Sequence, residues 1–224
     1  MSDYLSKEYD IEKRPLTTYP EKLAQYLFNK FEMRASDSIL EIGAGRCELL
    51  SGFKKLGLDC YAIDSAPSAK IWADEADINF QLLNYNSETS FNPFNRKFNF
   101  IISKSFIEHI STPVEYGIQC LEVLEENGRN IILTPDFETN YRIFFDDITH
   151  IKPFTTPSLT QLFELSGYVD VDVFRFRQLP STWSSSTMNF LAWITSLFSH
   201  HRSKKKWFRW SRELMIIGSG KKPK

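Results

Sequence analysis

Two groups of residues in this chain have the types and spacing to do chemistry. The first is Gly43-Ala44-Gly45, which breaks a short apolar run from Ser38 to Ile42 just before a helix-like stretch that begins at Arg46. Glycines at such a bend let the backbone turn sharply and let a ligand come close, because neither carries a Cβ. The N–H groups that open the following helix then face that ligand. Tyr61-Ala62-Ile63-Asp64 follows about twenty residues later, the separation at which a carboxylate accepts hydrogen bonds from both hydroxyls of a ribose. The third glycine of a dinucleotide fingerprint is missing, and Cys47 stands near its place. The second group is Glu108-His109 together with Asp146-Asp147-Ile148-Thr149-His150. A histidine oriented by a carboxylate can take the proton of a hydroxyl. His150 with Asp147, and His109, are therefore the candidate catalytic residues. A structural role stays open for each: Asp147 capping its loop, His150 meeting a buried carbonyl, His109 packing within a helix.

The stretch Ile39 to Cys47 resembles the first motif of class I S-adenosylmethionine (SAM)-dependent methyltransferases, with Glu41 in the acidic position and Gly43 and Gly45 in the glycine positions. Asp64 falls at that family's ribose-binding acid. The resemblance runs from Tyr19 to Tyr168 and resumes at the last strand. It implies SAM as cofactor and S-adenosylhomocysteine as product, held by Glu41, Gly43, Ala44, Gly45, Asp64, Ser65, Asn84, Tyr85 and Ser103. Asn84 departs from the pattern, since the family usually has an acid there; its amide oxygen is a weaker acceptor for the adenine amino group. The backbone N–H of Tyr85 is the family's contact to the adenine ring.

The sulfonium methyl of SAM is already activated, so such an enzyme need only align its acceptor and manage one proton. Glu108-His109 matches a pair common in the small-molecule branch of the family. The aspartate-threonine-histidine run ending at His150, followed by Phe154 and a helix ending in Gly167-Tyr168, is similar to that of methyltransferases encoded with surface-polysaccharide genes. This implies O-methylation of a saccharide hydroxyl or of a saccharide-linked phosphate or phosphoramidate-type oxygen, with Tyr141 and Arg142 positioning an anionic acceptor. Two alternatives stand beside it: methylation of nitrogen or of a lipid or quinone precursor, and a non-catalytic scaffold of the same fold. Ser103-Lys104-Ser105-Phe106 replaces the Asn/Asp-Pro-Pro-Tyr of many nitrogen methyltransferases, which argues against nucleic-acid bases. A magnesium site from Asp146, Asp147 and His150 fits poorly, because magnesium prefers carboxylates and water, so no metal is expected.

The elements that must position these residues alternate. Helical spacing appears over 21–32, 47–56, 68–76, 113–124 and 156–166, and apolar strand runs over 38–42, 59–63, 79–83, 98–102, 129–133, 168–174 and 213–218. Asn127-Gly128 reads as the stop of the fourth of these helices, and 136–154 as a long loop. The pattern predicts an α/β, Rossmann-like sheet of seven strands, six parallel and one antiparallel, with helices on both faces. Ligands of such sheets bind beyond the carboxyl ends of the strands. The reading is one domain over 1–224, with an N-terminal arm over 1–20 and a helical, basic and aromatic insertion over 178–211 before the last strand.

With 42% hydrophobic and 25% charged residues and a net charge of −1, the composition is that of a globular protein and excludes a general polyanion binder. The tail is basic (Arg202, Lys204, Lys205, Lys206, Arg209, Arg212) and interleaved with aromatics. The segment 190–210 reads as a lid over the acceptor, a peripheral membrane contact or a dimer contact, in that order of preference. The expected partner is a small-molecule or glycan acceptor, not nucleic acid, and the protein a monomer or homodimer. Three cysteines without framework spacing and no signal peptide point to a reduced, cytoplasmic protein, peripheral at most to the inner membrane face.

Overall fold

The computed structural model describes residues 3–5, 11–12, 14–85 and 92–224; of the expected N-terminal arm, residues 1–2, 6–10 and 13 lie outside it. In chain order the elements are α1 (Tyr19–Lys30), β1 (Ser38–Ile42), α2 (Glu48–Lys55), β2 (Asp59–Asp64), α3 (Ala69–Glu75), β3 (Asn79–Leu82), β4 (Phe98–Lys104), α4 (Pro113–Val123), β5 (Leu124–Pro135), α5 (Phe137–Asn140), α6 (Thr156–Leu165), β6 (Val169–Phe176), α7 (Ser186–Phe198), α8 (Lys206–Arg212) and β7 (Met215–Lys221). The strands form one sheet in the order β3-β2-β1-β4-β5-β7-β6. β7 runs antiparallel to both its neighbours, and the other pairs are parallel, as the sequence pattern predicts.

Strand residues alternate between two cores because successive side chains point to opposite faces. Ile39, Ile102, Ile131, Leu133 and Ile217 face Leu23 and Leu27 of α1 and Leu50 and Phe53 of α2. Leu40, Ile42, Ile101, Ile132 and Ile216 face Tyr116 and Cys120 of α4 and Leu159 and Phe163 of α6. All of these are essentially inaccessible to water. β1 is buried along its whole length, which explains its near-continuous apolar run.

Two departures from the sequence reading have a clear physical cause. α4 ends at Val123 and β5 starts at Leu124, well before Asn127-Gly128. Leu124 is fully buried and pairs with Phe98, so burial draws it into the sheet. Asn127 still bends the chain with a positive φ of 61°, and the β4–β5 register shifts between Phe98 and Phe100. The segment 136–154 also holds a one-turn helix, α5, capped by the Asp136 side chain, which accepts from the Glu138 N–H at 3.2 Å.

Between β6 and β7, aromatic contacts dock the segment before α7 on β6 and α1, and α8 on α1. Trp183 sits against Tyr26 and Phe176, and Trp210 against Tyr19. The outer side of α7 leaves Phe190, Leu191, Trp193, Leu197 and Phe198 exposed. No helix among the described residues is long and apolar enough to cross a membrane.

Gly218 of β7 is tightly packed: an added Cβ would lie 2.7 Å from both Leu159 and Phe163 of α6. Gly218→Ala should destabilise the protein by about 1–3 kcal/mol through overpacking. Urea unfolding measures this, and an unchanged midpoint would show that α6 gives way freely.

Candidate active site

The turn after β1 is stitched to the end of β2. Because these strands are parallel and in register, with Ile42 beside Ile63, their carboxyl ends lie together. Ile63 O accepts from the N–H groups of Gly43 (2.9 Å) and Ala44 (3.2 Å). The Asp64 carboxylate accepts from the N–H of Gly45 at 2.7 Å and of Ala66 at 2.8 Å. Gly43, Gly45 and Cys47 all have positive φ (74°, 54° and 54°), so Cys47 adopts the backbone for which a third glycine would be usual. Gly43 is also needed for space: a Cβ there would lie 2.6 Å from the ring of Phe106, which follows β4.

Two carboxylates face this crevice. Asp64 is buried, and burial raises its pKa while the Ala66 and Gly45 N–H groups and Tyr4 lower it. The Tyr4 hydroxyl lies 3.2 and 3.0 Å from its two oxygens. Glu41 is buried at the end of β1, and its Oε2 has no hydrogen-bond partner among the described residues. Burial pushes its pKa up to about 8, although Lys104 pulls it down.

A second cluster lies beyond β4. Glu108 is fully buried; its Oε2 accepts from Thr134 Oγ1 at 3.0 Å, and its pKa is raised to about 7 by burial. The Glu108 carbonyl accepts from the N–H groups of both Ile151 and Lys152 at 3.0 Å, which holds the loop after β5 onto this turn. His109 Nδ1 meets Thr149 O at 3.0 Å, His150 Nδ1 meets Phe144 O at 2.6 Å, and the two rings are 4.9 Å apart. Asp147 accepts from the Thr149 N–H (2.9 Å) and hydroxyl (2.6 Å). Against its burial, those bonds and the two histidines hold its carboxyl below the usual range.

A family model described as a methyltransferase domain matches residues 12–173. The chain belongs to this methyltransferase family. It is a SAM-dependent methyltransferase, with S-adenosylhomocysteine as product. It is 24% identical over 163 residues to a ubiquinone biosynthesis O-methyltransferase of Roseobacter denitrificans, a match spanning 65% of each chain and so under two thirds of that relative. Among solved structures it is similar to the protein bound to the Trm112 methyltransferase activator in a Haloferax volcanii complex (TM-score 0.72, 13% identity, covering 99% of this chain and 97% of that one). It is also similar to a SAM-dependent methyltransferase from Archaeoglobus fulgidus (TM-score 0.65, 17% identity, 98% and 99% covered). At these identities the solved structures speak to the fold.

The methyltransferase's own residues fit its cofactor. The Tyr4 hydroxyl donates to the Asp64 carboxylate, the kind of contact that a ribose hydroxyl would make there. The unpartnered Glu41 oxygen suits a cationic neighbour. Ala44 and Ser103 are buried, and Ser65, Asn84 and Tyr85 are half-buried, at the ends of β1, β4, β2 and β3. The Leu83 N–H bonds to Asp64 O, which holds the Asn84–Tyr85 segment at the same rim.

Beyond β4, the structure brings His109, Asp147 and His150 together, a meeting of two segments that the sequence offered separately. Asp147 Oδ2 is 3.8 Å from His150 Nε2, too far for a hydrogen bond, so the Phe144 carbonyl orients the ring instead. Asp146 turns away to Arg202. Tyr141 is half-exposed, and its hydroxyl accepts from Arg142 Nε at 2.9 Å. Sequence reasoning did not place Glu108 among the catalytic candidates; its local signals are the Glu108-His109 pair and the apolar residues Phe106, Ile107 and Ile110 on either side of it.

Two outcomes follow for the cofactor crevice. Asp64→Ala should weaken SAM binding by about 1.5–3 kcal/mol, the scale of a hydrogen bond to a charged group. Calorimetric titration decides this, and unaltered affinity removes Asp64 from the ribose. Glu41 has a folded pKa near 8 against an ordinary 4.5, so the folded state resists ionisation. Its contribution to stability is intact below pH 4.5 and is lost as pH rises toward 8. Glu41→Gln cannot ionise, and its stability relative to wild type should improve across that window. Denaturant melts at both ends of the range test this; a pH-independent difference would place Glu41 in solvent.

Proposed function

We propose that this methyltransferase transfers methyl to a hydroxyl oxygen of a small aromatic acceptor of the quinone-precursor type. The observation that carries this reading is the Glu108–His109–His150 cluster beside the turn that begins at Phe106, whose ring covers Gly43. A hydroxyl must shed a proton as it is methylated, and two half-buried imidazoles beside a buried carboxylate are suited to take it. With Nδ1 donating to Phe144 O, His150 presents a lone pair at Nε2 and is the favoured proton acceptor in the absence of an ion.

The acceptor class draws support from the rim of the site. Phe145, Ile148 and Ile151 are exposed in the loop that carries His150, Ile148 to 95%. That loop is tied to the segment after α7 by the Arg202–Asp146 ion pair, and Phe198 at the end of α7 is exposed to 83%. Such a border suits an apolar ring or tail better than a saccharide. The similarity to a ubiquinone biosynthesis O-methyltransferase points the same way. The saccharide acceptor suggested by the sequence has no comparable support.

Release of S-adenosylhomocysteine with 3,4-dihydroxybenzoate as acceptor, compared with a set of monosaccharides, tests the class; turnover confined to the sugars would reject it. His150→Ala should lower turnover on the phenolic probe by roughly a hundredfold or more while leaving SAM affinity within twofold. Near-normal turnover would make His150 a loop-holding residue.

A further inference from the structure

We propose that Glu108, His109 and His150 bind a divalent transition-metal ion, and that this ion ligates the acceptor hydroxyl. The second half rests on the hydroxyl-acceptor reading above; the first does not.

One donor atom from each of the three side chains lies within 4.8 Å of the others. Metal bonds of about 2.0–2.2 Å place ligand atoms roughly 3–3.5 Å apart, so closure around an ion needs side-chain movements on the order of an ångström. The imidazoles are already set for it. Each places Nδ1 against a backbone carbonyl, His109 on Thr149 O and His150 on Phe144 O. A proton on Nδ1 puts the lone pair on Nε2, the arrangement found where histidines ligate metals.

The carboxylate supplies an independent observation. Glu108 has no exposed surface, and Oε1 has no hydrogen-bond partner among the described residues, whereas Oε2 accepts from Thr134. A buried carboxylate oxygen left without a partner is a rare condition that a cation relieves. The Ile151 and Lys152 N–H bonds to Glu108 O join the two halves of the donor set through backbone, so the site does not depend on a floppy loop. Asp147 Oδ2, 3.8 Å from His150 Nε2, stands by as a donor from the solvent side.

Two imidazoles with one carboxylate suit manganese, iron, cobalt or zinc better than magnesium or calcium, which favour oxygen donors. This set is distinct from the Asp146, Asp147 and His150 grouping that the sequence offered, since Asp146 is engaged with Arg202. A hydroxyl ligated to such an ion loses its proton more readily: the O–H bond breaks, the electron pair stays on oxygen and the proton passes to water. His150 then serves as a ligand and not as the base.

The test uses tag-free full-length protein, dialysed against EDTA and titrated with Mn²⁺, Co²⁺ or Zn²⁺ alone. One equivalent should bind, and Co²⁺ should give a visible absorption band. Glu108→Gln, His109→Ala and His150→Ala should each weaken binding at least tenfold, with SAM affinity and melting temperature recorded as controls for folding. Absence of binding at millimolar metal, or affinity within twofold of wild type in all three variants, overturns the site. Metal-stripped wild type should lose most of its turnover and regain it with the ion. If the stripped enzyme is fully active while His150→Ala is not, His150 is the proton acceptor and the ion's role in the reaction is rejected. If the ion binds through these residues but no phenolic acceptor is methylated, the site stands and the acceptor reading fails.

Discussion

The amide of Gly45 reaches the carboxylate of Asp64 only because β1 and β2 run parallel and stop side by side. Every other feature of the cofactor crevice follows from that arrangement. The two N–H bonds into Ile63 O fix the turn, whose positive φ values at Gly43 and Gly45 allow the sharp bend after β1. β4 lies on the other side of β1, so its continuation brings Phe106 down onto Gly43. An antiparallel β2 would carry Asp64 to the opposite edge of the sheet, and no side-chain change could restore the pairing.

A second stitch lies beyond β4. The turn after β4 and the loop after β5 are about forty residues apart, yet Glu108 O, Thr149 O and the His109 ring hold them together. Both stitches enclose a carboxylate that the protein alone does not satisfy. Glu41 and Glu108 are each buried, each has an oxygen without a hydrogen-bond partner among the described residues, and each has its pKa raised by burial. Groups of this kind destabilise a fold and cluster where ligands bind.

Much of the fold was legible in local sequence. Strand runs, glycine positions and the Asp64 separation are short-range patterns, and they set the sheet, the bend and the acid that closes β2. Where local reading went astray, burial overruled it: Leu124 joins β5 because Phe98 waits beside it, although Asn127-Gly128 carries the stronger stop signal. α5 arises from a single side-chain cap at Asp136, too short a feature for periodicity to register.

By itself, the sequence determined the element types, the glycine bend with its two acids and the presence of histidines after β4 and β5, because each depends on neighbours within a few residues. Only the tertiary structure decided that His109 and His150 meet, that Glu108 is the buried carboxylate between them, that Phe144 rather than Asp147 orients His150, and that Tyr4 rests on Asp64. Most of those contacts join residues forty or more positions apart, and chain entropy gives no local sign of which distant groups the packing of the sheet will bring together.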